Sequence, residues 1–168
     1  MTAELNGGHS SLRPAWKLSD GNIARDAKAL WQRLTTLGPE EAERRVSELC
    51  AAAYSDDAMV GVATAYIERL EMLKARFAFF RCLVVPGERR IEIARSLALL
   101  SRDLLERWSL ENPSEEILGM AAMIPPNAYG EKQRDPVWAE GGLNLNLVGY
   151  SRRDEQIRVS WFEHARVS

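Results

Sequence analysis

The stretch Val84–Leu97, VVPGERRIEIARSL, constrains the fold of this chain more than any other. Its apolar, β-branched beginning reads as a strand, and Pro86-Gly87 stops that strand. Beyond the turn the period changes. Ile93, Leu97, Leu100, Leu104 and Trp108 recur at three and four, while Arg95, Arg102, Asp103 and Glu106 keep to the other side. That pattern predicts a helix over 93–108 with one apolar face. A helix that begins just after a strand leaves its first amides unpaired and pointing one way, with a partial positive charge behind them. With Arg89, Arg90 and Arg95 close by, this is the outline of an anion cradle. A plain crossover turn with solvated arginines has the same spacing, so both readings stand at this point.

The rest of the chain supplies mixed elements. PAWKLSD (14–20) reads as a short strand, with Ser19 or Asp20 capping a helix whose face is Ile23, Ala27, Leu30, Trp31 and Leu34. Gly38-Pro39 breaks that helix, and Pro39 opens a second one running to about Glu48. Residues 49–55 and 58–68 flank Asp56-Asp57 as paired strands. Residues 64–76 show helical spacing at Ile67, Leu70, Leu73, Phe77 and Phe80, so local periodicity favours helix there. Strands are expected at 76–85 and 115–124, then a loop or broken helix over 127–142. The chain ends in a hairpin, with Ile157, Val159 and Trp161 alternating against Arg158, Ser160 and Phe162. Residues 1–13 read as a loose tail and 14–168 as a single domain. The fold class is α+β.

Composition narrows the partners. A chain of 168 residues can build its own core without metals or disulfides, and a net charge of -2 argues against nucleic acid. No 18-residue apolar run and no basic-then-apolar leader is visible, so no membrane segment and a cytoplasmic location are expected. Cys50 and Cys82 lie in apolar surroundings and are expected to be buried free thiols. His9 and His164 have no third ligand, so no metal is expected. The five scattered tryptophans read as core.

The turn and the order of elements around it resemble the GNAT superfamily of acyl-CoA-dependent N-acyltransferases. The family signature V-x-P-x-x-[R/Q]-x-x-G-x-[G/A] is met by Val84, Pro86, Arg89 and Ala94, and Ile93, Ala94 and Leu97 read like its GIA..L. Gly61 resembles the glycine of the family's third strand. The resemblance implies a mostly antiparallel, splayed sheet of about seven strands flanked by about four helices. It also implies strand to about Ile67 or beyond, against the local periodicity. Acetyl-CoA or another acyl-CoA is implied as co-substrate. Its pyrophosphate would lie on the amides of Arg90, Ile91, Glu92, Ile93, Ala94 and Arg95, beside Arg89, and its pantetheine arm along the backbone of Leu83 and Val85.

Glu92 departs from the pattern, because the family places a glycine there. The fourth-helix tyrosine stretch is also missing, which leaves Tyr129 and then Tyr150 as proton donors to the leaving thiolate. Glu68, or Glu71, is the acid to serve as base or amine anchor. The implied activity is acyl transfer to a primary amine of a small molecule or peptide by direct attack. A catalytically silent module that senses acyl-CoA or binds a protein is the alternative. Pairing of terminal strands across a homodimer is the expected mode of self-association.

Overall fold

The computed structural model of the chain describes residues 3–5 and 10–166. They fall into two compact units: one runs up to Ala65 and resumes over Cys82–Leu104, and the other holds Tyr66–Arg81 and the chain from Leu105 onward.

The first unit contains β1 (Ala3–Leu5), β2 (Ser10–Pro14), α1 (Gly21–Leu34), α2 (Pro39–Val46), β3 (Leu49–Ser55) and the first part of β4 (Ala58–Leu70). The end of β5 (Ala75–Val84) and the start of α3 (Arg90–Glu111) complete it. Its strands follow the order β1-β2-β3-β4, all antiparallel. Asp20 caps α1 as expected, its Oδ1 accepting from the Asn22 and Ile23 amides at 2.9 and 3.1 Å. The apolar face of α1 (Ile23, Ala27, Leu30, Trp31) then packs with Leu49, Ala52, Tyr54, Met59 and Val62. The strand expected at 14–20 lies earlier. Ser10–Pro14 pairs with Ala51–Ser55, so part of the stretch read as a loose tail is ladder. Pro14, which has no N–H to donate, sits at its end.

The second unit holds the end of β4, most of β5, the end of α3, β6 (Ile117–Ile124), β7 (Val137–Trp138), β8 (Leu145–Tyr150) and β9 (Gln156–Trp161). The strand order here is β4-β5-β6-β9-β8-β7, with β5 and β6 parallel and the pairs from β6 to β7 antiparallel. The helix expected locally over 64–76 is absent. The chain stays extended to Leu70 and turns over Glu71–Lys74, with Lys74 at φ 49°. Tertiary pairing outweighs the local period, because Leu70, Phe77 and Phe79 are buried together with Ala121, Ile157 and Val159. Segment 127–142 forms 3-10 turns at Gly130–Arg134 and Glu140–Gly142 in place of a fourth helix. The described residues therefore give three α-helices and nine strands, against about four and seven expected, in the same mostly antiparallel α+β class. No helix among them is long and apolar enough to cross a membrane.

Candidate functional site

The cradle is built from the end of β5 outward. Val85 donates its N–H to Val60 O at 2.8 Å, so its backbone faces β4. Strand alternation turns Leu83 the same way and presents Val84 to the opposite edge. The backbone able to pair with an added chain is thus Val84, one residue away from the expected Leu83 and Val85. After the turn, Arg90 N–H reaches Gly87 O at 3.3 Å and Ile93 N–H reaches Arg89 O at 2.9 Å. Ala94 and Arg95 lie far enough into α3 for their amides to join the helical ladder. The amides of Ile91 and Glu92 have no acceptor among the described residues. The expected six-amide cradle contracts to these two.

Gly61 fixes the height of the cradle over the sheet. A Cβ there would stand 3.0 Å from Leu97 Cδ1 and 3.1 Å from Ile93 Cγ2. Ile93 and Leu97, the first apolar residues of the α3 stripe, are both buried. Only glycine lets the first turns of α3 settle this closely on β4.

Glu92 does not stand alone at the helix start. Arg89 Nε and Nη2 donate to its two carboxylate oxygens, each at 3.2 Å, while Nη1 reaches Ser10 Oγ at 3.0 Å. These hydrogen bonds hold the Glu92 carboxyl below its ordinary range and raise Arg89. The guanidinium that the signature assigns to phosphate is forked on an internal carboxylate. Arg90 and Arg95 are exposed on the same turns.

Cys82 is exposed, correcting its expected burial, whereas Cys50 is buried. Burial of a strand residue depends on what packs over its face, and apolar neighbours in sequence do not supply that cover. Burial pushes the Cys50 thiol up to about 12.

The candidate acid–base residues lie in the second unit. Glu68 is exposed near the end of β4, next to the Arg69–Glu71 ion pair (3.1 Å). Tyr150 ends β8 opposite Gln156 and is exposed. Tyr129 lies in the 127–142 segment with its ring edge-on to Trp138, centroids 5.1 Å apart. His164 Nε2 meets Ser109 Oγ at 3.1 Å, and His9 lies outside the described residues. Two polar centres escaped the sequence reading. Tyr54 is buried, donates to Asp26 Oδ2 at 2.8 Å and lies under Arg13. Burial and the neighbouring Asp26 carboxylate raise its phenol. Arg158 is buried in β9. The strand patterns of β3 and β9 hide such residues, because alternation alone assigns a polar side chain to the wet face.

Comparison with known proteins agrees with this architecture. No protein-family model matches the sequence, and no curated protein does. Solved structures do match. The chain is similar to a ribosomal-protein-S5-alanine acetyltransferase from Vibrio fischeri, with TM-score 0.60, 9% identity, and coverage of 99% of this chain and 100% of that one. It is also similar to an acetyltransferase of the GNAT family from Streptococcus pneumoniae (TM-score 0.53, 10% identity, 91% and 99% covered). A third is the N-acetylglutamate synthase of Neisseria gonorrhoeae complexed with coenzyme A and N-acetyl-glutamate (TM-score 0.51, 15% identity). There the match covers 95% of this chain but only 36% of the synthase. Strand order, the β5–α3 turn and these likenesses converge on one architecture: the chain has the GNAT acetyltransferase fold.

Proposed function

We propose that the chain is an N-acyltransferase that moves an acetyl or other acyl group from acyl-CoA to a primary amine. The observation that carries this reading is the pair of unpartnered amides, Ile91 and Glu92, at the start of a 22-residue helix seated on Gly61 within this fold. Two free amides, a helix dipole and the exposed Arg90 and Arg95 suit a pyrophosphate. The outward backbone of Val84 suits an amide-bearing arm.

In the reaction a neutral amine attacks the thioester carbonyl; the C–N bond forms, the C–S bond breaks, and the thiolate takes a proton. Glu68 serves as base or ammonium anchor, and Tyr129, or in second place Tyr150, as the donor. The acceptor is an amine of a small molecule or a peptide. Neighbours named for glutamate and for an alanine of a ribosomal protein support that range.

A melting-temperature titration with CoA and acetyl-CoA tests the reading, since a ligand that binds only the folded state raises the transition. A rise with both ligands, together with thioester loss over a panel of amines, is expected. No rise at millimolar ligand refutes it. The Arg89–Glu92 fork favours one rival, a catalytically silent acyl-CoA sensor, because it occupies a signature arginine. Binding without thioester loss for any amine would select that rival.

A further inference from the structure

Arg158 has 0% of its surface exposed. Its Nε donates to Gln156 Oε1 (3.0 Å) and Nη1 to Leu145 O (3.3 Å), while Nη2 donates to Gln133 O (3.2 Å) and Asp135 O (2.7 Å). Its guanidinium carbon lies 3.9 Å from the centroid of the Trp138 ring. Every acceptor is neutral, and Arg158 has no ion-pair partner among the described residues. A cation withdrawn from water in this way persists only if its acceptors are held in place.

Most of those partners belong to segment 127–142, which has no α-helical ladder of its own. It is tied instead by side chains. Gln133 bridges Pro125 O (2.6 Å) and the Asn127 amide (2.8 Å), and Trp138 Nε1 donates to Lys132 O (2.6 Å). Gln156 Nε2 also reaches Gln133 O, at 2.6 Å. Tyr129 leans on the opposite end of this assembly, through the Trp138 ring. An order of contact runs from Arg158 to Trp138 to Tyr129.

We propose that Arg158 is a positioning residue for Tyr129: its guanidinium fixes the 133–135 carbonyls and the Trp138 ring, and that ring fixes the phenol. The catalytic consequence rests on the proposed proton-donor role of Tyr129, whereas the mechanical one does not. The arrangement replaces a helix as the means of holding a tyrosine at this place in the chain.

The test uses the full chain with 3-fluorotyrosine at its four tyrosines, Tyr129 being identified by loss of its resonance in Tyr129→Phe. In Arg158→Met the Tyr129 resonance is expected to move toward that of the free amino acid while the Tyr54 and Tyr66 resonances stay. Trypsin is expected to cut after Lys132 and Arg134 at least about tenfold faster, as the segment opens locally. If all four resonances collapse, the variant has not folded. Trp138→Leu, which retains Arg158, is then expected to move Tyr129 alone. An unmoved Tyr129 resonance in a folded Arg158→Met chain, or in Trp138→Leu, overturns the proposal.

Kinetics separate the two layers. Arg158→Met should lower kcat by the factor seen in Tyr129→Phe, leave KM for acetyl-CoA unchanged, and add nothing in the double variant. A kcat loss in Arg158→Met without one in Tyr129→Phe overturns positioning as the route. A moved resonance with kcat intact in both variants upholds the positioning and removes Tyr129 as donor.

Discussion

Arg89 meets a carboxylate near the surface, forked on Glu92 by two hydrogen bonds of 3.2 Å, whereas Arg158 is buried among carbonyls with an indole against its face. The two guanidiniums therefore differ in what can replace their partners. A phosphate can displace Glu92, because it offers Arg89 the same forked geometry and more charge. Nothing dissolved in water can displace Gln133 O or Asp135 O without unfolding the segment that carries them. On the proposed function Arg89 belongs to a site that exchanges ligands, whereas Arg158 belongs to the frame of the second unit.

The largest effect expected from this contrast is on stability. Arg158→Met leaves the Leu145 and Asp135 carbonyls and the Gln156 amide oxygen short of a donor, while Gln133 O keeps the one from Gln156 Nε2. At about 1–3 kcal/mol for each buried group left unpaired, partly relieved by relaxation, the loss should be about 3 kcal/mol. Arg89→Met should change stability far less, as surface changes usually do. Denaturant midpoints for the two variants measure the difference directly. Equal losses would end the distinction between frame and site.

Next in size is Gly61→Ala. The added methyl meets Leu97 and Ile93 at 3.0 and 3.1 Å, and overpacking of that kind costs about 1–3 kcal/mol. Because the strain falls on the first turns of α3, CoA binding should weaken along with stability. A stability loss with CoA affinity unchanged would show that the cradle does not depend on how α3 is seated.

The unequal legibility of these regions has a physical cause. The Asp20 cap, the glycine at 61 and the β5–α3 turn are local or near-local devices, and each leaves a residue type at a fixed offset. Arg158 leaves no such mark. In QIRVSW it falls on the alternate face of an apparently half-wet strand, yet Gln156–Ser160 are all buried. The cover comes from residues 133–138, whose 3-10 turns carry no period. The helical spacing at 64–76 misleads for the complementary reason: Leu70 and Phe77 serve a sheet core that only distant strands create. At Glu92 the family pattern marks only a missing glycine, while the i,i+3 partner that takes up its charge, Arg89, also stands in the sequence.

That pair gives a smaller prediction, on binding alone. Glu92→Gln should release Arg89 and tighten CoA about three- to tenfold at low salt, less at high salt because the pair is exposed. Adding Arg89→Gln should cancel the gain. If Glu92→Gln weakens binding, the carboxylate is organising the cradle and is no competitor within it.

The smallest effect is the pH dependence of that gain, and it is the most specific to the fork. Hydrogen bonds from Arg89 favour the charged form of Glu92, so its folded-state pKa lies below the ordinary 4.5. A carboxyl lowered in this way contributes stability above its unfolded pKa and loses the contribution as pH falls through the folded value. The affinity ratio of Glu92→Gln to the unaltered chain should therefore stay flat from about pH 8 to about pH 5. Protonation of the CoA phosphate near pH ~6 is common to both proteins and cancels in the ratio. Only below the ordinary glutamate range should the ratio fall toward one, as protonated Glu92 comes to resemble glutamine. In an Arg89→Gln background Glu92 loses the hydrogen bonds that lower it, so its titration should shift upward into that range. A ratio that already closes between about pH 6 and about pH 5 would mean that Arg89 does not hold the carboxylate in solution, and the cradle would then be open without any exchange.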